Sequence, residues 1–114
     1  MGPGPAELGH AALIDVHFHA LPGVDDGPAG WDDALALCRA AAAEGTGTVV
    51  ATPHVLRDPW MNEDPAARAA LLAELNAKLG GTPRVLSGSE VWFGDDLVEL
   101  LEKGAAGPLT TLAG

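Results

Sequence analysis

Two imidazoles and a pair of carboxylates lie close together near the start of this 114-residue chain. The segment Ile14-Asp15-Val16-His17-Phe18-His19 ends a short apolar, β-prone run with histidines two residues apart. In an extended chain, side chains two apart point to one face, so both rings leave the strand end in the same direction. Leu21-Pro22-Gly23 then turns the chain, and Asp25-Asp26-Gly27 returns carboxylates towards the histidines. Two neutral nitrogens and a hard oxygen at this spacing suit a first-row divalent ion such as Mn, Fe or Zn. His17, His19 and Asp25 are therefore candidate metal ligands. Two further β-prone runs end in Pro53-His54 and Gly88-Ser89-Glu90, which adds His54 and Glu90 to the set.

Neighbouring residues carry weaker signals. Asp15 could orient a ligand histidine or be a surface carboxylate. Asp26 reads as a turn or helix-start residue. His10 falls in a solvated arm. Arg57, in the loop after His54, could meet a phosphate bidentately or be an ordinary loop arginine. Trp60, Trp92 and Phe93 could line the mouth of a site or pack at its rim. Cys38 sits inside a helix, without the surrounding loop of backbone N–H groups that a nucleophilic phosphatase cysteine needs. Neither a glycine-rich phosphate loop nor a serine nucleophile is evident.

The elements that must position these groups alternate along the chain. Residues 1–11 are rich in Gly and Pro and read as a loose arm. A strand is expected over residues 12–16 and a helix over 31–44, with Asp32 and Asp33 in its first turn and Gly45 ending it. A second strand over 46–52 precedes a helix over 65–79, which begins at Pro65 and carries Leu71, Leu72, Leu75 and Leu79 as its apolar stripe. A third strand over 84–87, a short helix over 95–102 and the start of another strand over 108–112 complete the order. Strands separated by helices of this length predict an α/β fold with parallel strands and right-handed crossovers. His17 and His19, then His54, then Glu90 lie at the C-terminal ends of the three strands, where a βα barrel gathers its active site.

Composition narrows the partners. Six basic and sixteen acidic residues give a net charge of −10, which disfavours nucleic acid and anionic lipid as partners. The 47% hydrophobic content supports a packed core, and the single cysteine rules out an internal disulfide framework. With no apolar run near membrane-span length and no signal-peptide pattern, no membrane insertion and a cytoplasmic location are expected.

The segments Ile14-Asp15-Val16-His17-Phe18-His19, Leu21-Pro22-Gly23-Val24-Asp25-Asp26-Gly27, Ala51-Thr52-Pro53-His54 and Gly88-Ser89-Glu90 together resemble the polymerase-and-histidinol-phosphatase (PHP) family. The Leu-Pro-Gly-x-Asp-Asp-Gly continuation resembles, more narrowly, the manganese-dependent protein-tyrosine phosphatases of capsule and exopolysaccharide clusters. The resemblance runs over residues 13–112. It implies a PHP-type (β/α)7 TIM-like barrel, of which residues 12–114 are the N-terminal half, truncated on the C-terminal side. It implies metal binding by His17, His19, Asp25, His54 and Glu90, in a cluster of up to three ions with the glutamate bridging two. Mn is the foremost expected metal, with Fe, Co or Zn as alternatives. The implied reaction is attack of a metal-activated hydroxide on phosphorus, without a phosphocysteine. The implied substrate is phosphotyrosine on the tail of a bacterial tyrosine kinase that controls polysaccharide export.

Family members are about twice as long and draw another histidine, phosphate-binding arginines and an Asp-x-His motif from their second half, matching the ~250 residues usual for a βα barrel. Here no histidine follows His54, and the open sheet edges of a half-barrel suit a homo-oligomer. Two alternatives stand beside the phosphotyrosine reading. One is a small-molecule PHP phosphoesterase acting on a compound such as histidinol phosphate. The other is a non-catalytic metal- or kinase-binding remnant.

Overall fold

The computed structural model describes residues 13–91 and 94–102. Its elements are β1 (Leu13–Phe18), α1 (Trp31–Ala43), β2 (Thr46–Ala51), β3 (His54–Val55), α2 (Pro65–Leu79), β4 (Arg84–Ser87), β5 (Glu90–Val91) and α3 (Leu97–Glu102). The expected arm over residues 1–11 with His10, the aromatic pair Trp92 and Phe93, and the strand over 108–112 lie outside the described residues.

The strands pair in parallel, as the alternation of strands and helices predicts. One sheet has the order β1-β2-β4, and β3 pairs with β5 in a second. The two short strands were not expected from sequence. Pro53 has no N–H to give to a ladder, so β2 stops at Ala51 and pairing resumes at His54. The new register sets His54 opposite Glu90 and Val55 opposite Val91. Gly88 interrupts β4 and β5 for a steric reason. A Cβ at that position would lie 2.7 Å from Val50 Cγ1, so only glycine lets this segment run so close to the end of β2.

The core forms between the sheet and the two longer helices. Ala34 and Cys38, four residues apart, are the buried face of α1, while Leu75 of α2 is fully buried against Val49, Ala51 and Val85. Fully burying one such leucine stabilises the fold by roughly 1.5–3 kcal/mol. Leu71, Leu72 and Leu79 pack beside it, which makes the apolar stripe of α2 real. Asp64 caps α2 by accepting from the Ala66 N–H at 2.9 Å, and Gly80 ends it in the left-handed conformation (φ 71°). Asn76, also on α2, accepts from Val85 N–H at 2.9 Å and donates to Val85 C=O at 2.8 Å, fastening the helix to β4.

The outer side of the sheet is less covered. Leu13, Ile14 and Val16 of β1 are 66, 65 and 55% exposed. Among the described residues, β1 pairs only with β2, so its other edge is open. No described helix is long and apolar enough to cross a membrane.

Candidate metal centre

The donors arrive from three chain segments, each held by a separate local device. On β1 the register against β2 slips between Asp15 and Phe18, which breaks the simple two-residue alternation at His17. Asp15 Oδ1 accepts from the His17 N–H at 3.0 Å, so Asp15 acts on the main chain of His17 and not on its ring. Phe18, between the two histidines, is held from both sides. Its N–H donates to Thr52 Oγ1 at 3.1 Å, and its carbonyl accepts from Thr52 N–H at 2.9 Å. Thr52 is buried. The main chain that carries both imidazoles is thereby fixed to the end of β2.

The turn after β1 supplies the next groups. Asp25 is 1% exposed at its side chain. Its Oδ2 accepts from His19 Nδ1 at 2.8 Å and from the His54 N–H at 3.0 Å, while Oδ1 accepts from Gly27 N–H at 2.9 Å. Gly27 has no room for a side chain, since a Cβ there would stand 2.9 Å from His19 Cβ and 3.0 Å from Asp25 Oδ1. Asp26 points the other way. It is 60% exposed, and its Oδ1 lies 3.4 Å from His54 Nε2.

Glu90 is the point of convergence. Its Oε1 lies 2.8 Å from His17 Nε2, 2.8 Å from His19 Nε2 and 3.8 Å from His54 Nδ1. The two histidine Nε2 atoms are themselves 3.2 Å apart. Two donor groups follow, His17 with His19 and Glu90, and His19 with Asp26 and His54, each with its ligand atoms within 4.8 Å of one another. The structure thus brings together His17, His19, His54 and Glu90 from the expected set and adds Asp26. Asp25 belongs to neither group, because its oxygens are turned to His19 and to two backbone amides.

The donor chemistry fits a divalent ion. A neutral His19 that gives its Nδ1 proton to Asp25 aims an Nε2 lone pair at a carboxylate oxygen 2.8 Å away. Such a contact is repulsive unless a positive charge lies between the two atoms. Burial pulls the His19 pKa down, but the Asp25 hydrogen bond and the charges of Asp25 and Glu90 outweigh it and raise it above the ordinary value. Asp25 shows the reverse balance. Burial pushes its pKa up, yet the bonds from His19, Gly27 N–H and His54 N–H hold it below the usual carboxylate range. For Glu90 burial pushes the pKa up, yet the His17 hydrogen bond and the charges of His54, His17 and His19 together hold it below the ordinary value. Imidazole nitrogens mixed with carboxylate oxygens, without a thiolate, suit Mn, Fe, Co or Zn.

The surroundings leave this centre accessible. His17 and His19 line an open groove of about 500 Å³ with Phe18, Gly27 and Leu37. On the far side the Trp60 ring stacks on His54, with centroids 5.2 Å apart and planes 18° from parallel. Trp60 and Arg57 share the hairpin that follows β3, joined by an antiparallel bridge. Cys38 is fully buried in α1 and its thiol pKa is raised by burial.

Sequence reasoning read Asp26 as a turn or helix-start residue and gave Thr52 and Asn62 no role, since their partners are backbone atoms brought near only by folding.

Known proteins resemble this chain in sequence and fold. The tyrosine-protein phosphatase YwqE of Bacillus subtilis is 40% identical over 67 residues, covering 59% of this chain and 26% of that protein. The tyrosine-protein phosphatase CpsB of Streptococcus pneumoniae is 30% identical over 95 residues, covering 80% of this chain and 38% of that protein. A crystal structure from work on these two proteins, described as unique metal-dependent tyrosine phosphatases, superposes with a TM-score of 0.74 at 34% identity, covering 82% of this chain and 38% of that one. The matched parts of the chain cover between about a quarter and two fifths of the length of these relatives. The profile of the family described as "Capsular polysaccharide synthesis, CpsB/CapC" matches residues 13–113. By that match across nearly its whole length, the chain belongs to the CpsB/CapC family of capsular polysaccharide synthesis.

Proposed function

We propose that this chain supplies three strand ends of the metal centre of a protein-tyrosine phosphatase. His17, His19, Asp26, His54 and Glu90 are its metal donors, and Asp25 orients His19 from behind. The observation that carries this reading is the convergence of three imidazoles on Glu90 Oε1, with two of them at 2.8 Å. Its support from relatives is the activity named for YwqE and CpsB and the metal dependence named for the superposed structure. Divalent ions held there, Mn foremost, would supply a hydroxide nucleophile near neutral pH and neutralise charge on the phosphoryl oxygens. Glu90 would hold an ion together with His17 and His19. Asp25 and the register pairing of His54 with Glu90 hold the donors in place, and Arg57 would meet the phosphate from the hairpin that also carries Trp60. The parallel sheet forms the first part of a (β/α)7 barrel. The substrate is phosphotyrosine on a bacterial tyrosine kinase of the capsule or exopolysaccharide pathway, in the cytoplasm.

The test is hydrolysis of a phosphotyrosine peptide by the intact protein, after chelation and after return of manganese. His17→Ala and Glu90→Ala should each lower turnover by at least about 100-fold, the equivalent of some 2.7 kcal/mol of barrier. Unchanged turnover in both variants overturns the assignment. Faster turnover of histidinol phosphate than of the peptide would move the function to small-molecule phosphoesters. Metal binding without hydrolysis by the intact protein would select a non-catalytic metal- or kinase-binding role.

A further inference from the structure

One side chain outside the donor set touches two of the segments that carry donors. Asn62 Nδ2 donates to the Val24 carbonyl at 2.9 Å and to the His54 carbonyl at 2.7 Å. Both neighbours are carbonyl oxygens, so the amide nitrogen must face them and the orientation is not open to a flip. The Val24 carbonyl belongs to the peptide that enters the Asp25-Asp26 turn. The His54 carbonyl belongs to a donor residue itself. His54 is therefore gripped at both main-chain polar groups, its N–H by Asp25 Oδ2 at 3.0 Å and its carbonyl by Asn62.

Asn62 is held in turn. It adopts a left-handed conformation (φ 46°), which asparagine tolerates better than most residues. Its own carbonyl accepts from Arg68 Nη1. Arg68 is only 8% exposed, on the first turns of α2. A buried guanidinium bonded to a loop carbonyl ties that loop to a rigid helix. The chain of contacts runs from α2 through Arg68 and Asn62 to the Asp25-Asp26 turn and to His54.

We infer that Asn62, anchored by Arg68, is a positioning residue that sets the spacing between the Asp25-Asp26 turn and His54 for metal binding. This rests on the reading of the site as a metal centre. Groups behind metal ligands typically change affinity about 10–100-fold when lost. Asn62 acts one step further back, but on two donor segments at once.

The experiment measures manganese affinity of the purified chain by calorimetry, and donor geometry by the visible spectrum of the cobalt-loaded chain. Three proteins are compared, namely wild type, Asn62→Asp and Asn76→Asp. Asn62→Asp keeps the shape but turns an oxygen towards two carbonyls. Asn76→Asp makes the same chemical change on α2, where the amide bonds Val85 and not the site. Melting temperatures are recorded for all three. The expected result is a 10–100-fold loss of manganese affinity and an altered cobalt spectrum for Asn62→Asp, with Asn76→Asp within about threefold of wild type even if it melts earlier. Should Asn62→Asp fail to fold, Asn62→Gly keeps the positive φ and removes the amide, and the same loss is expected. Equal affinities in wild type and the Asn62 variant overturn the inference and leave the metal centre standing. Equal losses in the Asn62 and Asn76 variants also overturn it, by showing general loosening. Absence of manganese binding in the wild type overturns the metal reading itself, and the inference with it.

Discussion

Asp25 Oδ2 stands 2.8 Å from His19 Nδ1, and this bond decides which nitrogen of His19 faces the site. With the Nδ1 proton committed to Asp25, only Nε2 can reach Glu90 and a metal ion. Replacing Asp25 by Asn keeps the volume but sets a neutral amide against His19 and the His54 N–H. Manganese affinity should fall about 10–100-fold, while Asp26→Asn, which changes a donor directly, should fall at least as far. Titration calorimetry on both variants checks the ranking, and a larger loss for Asp25→Asn than for Asp26→Asn would reverse their roles.

The same pair predicts how the metal-free chain responds to pH. The His19 pKa is raised, so its contribution to stability is complete below its ordinary 6.5 and is lost as pH rises through the raised value. The Asp25 pKa is lowered, so its contribution is complete above its ordinary 3.8 and is lost as pH falls through the lowered value. In chelator-treated protein, the melting-temperature gap between wild type and Asp25→Asn should be widest between these limits. It should narrow towards both alkali and acid. A gap constant with pH would mean that the pair carries no ionic interaction.

Cys38 should prove chemically quiet. It is fully buried, and burial raises its pKa, so it offers little thiolate at neutral pH. In the native chain a thiol reagent should react with it slowly, and in denaturant quickly. Cys38→Ser should retain full phosphotyrosine hydrolysis in the intact protein, whereas loss of turnover with the fold intact would restore a cysteine mechanism.

Gly88→Ala should destabilise the chain through contact alone. The added methyl would sit 2.7 Å from Val50 Cγ1 and 3.3 Å from the Ala51 carbonyl. Overpacking of this kind costs about 1–3 kcal/mol. Because Gly88 lies two residues before Glu90, metal affinity should fall as well. Chemical denaturation of the two proteins measures the first effect, and an unchanged midpoint would contradict it.

The regular elements were legible because their signals are local. Pro65 and Gly80 punctuate α2, its leucines recur at helical spacing, and β2 is a β-branched run. His17, His19, His54 and Glu90 were legible because each follows a strand signal. The division of labour between Asp25 and Asp26 was not, since it depends on amides of Gly27 and His54 that only the fold delivers. Strands β3 and β5 are two residues each and have no pattern of their own, so their existence is known only from the pairing of His54 with Glu90. The slipped register at His17 is likewise a property of two strands together. Asn62 sits in a loop without periodicity, and nothing in its neighbourhood announces its two carbonyl partners.

The open side of β1 sets how the chain behaves in bulk solution. Among the described residues, the exposed Leu13, Ile14 and Val16 lie on a strand whose outer edge has no strand partner, a template on which another strand can grow. What opposes that growth is a net charge of −10, which makes copies of the chain repel. The repulsion reaches only about 8 Å at physiological ionic strength and less as salt rises, whereas the apolar attraction does not weaken in the same way. Colloidal stability of this chain is therefore greatest in dilute buffer. Added salt, or acid that neutralises its carboxylates, drives it towards assemblies seeded at one edge of one sheet.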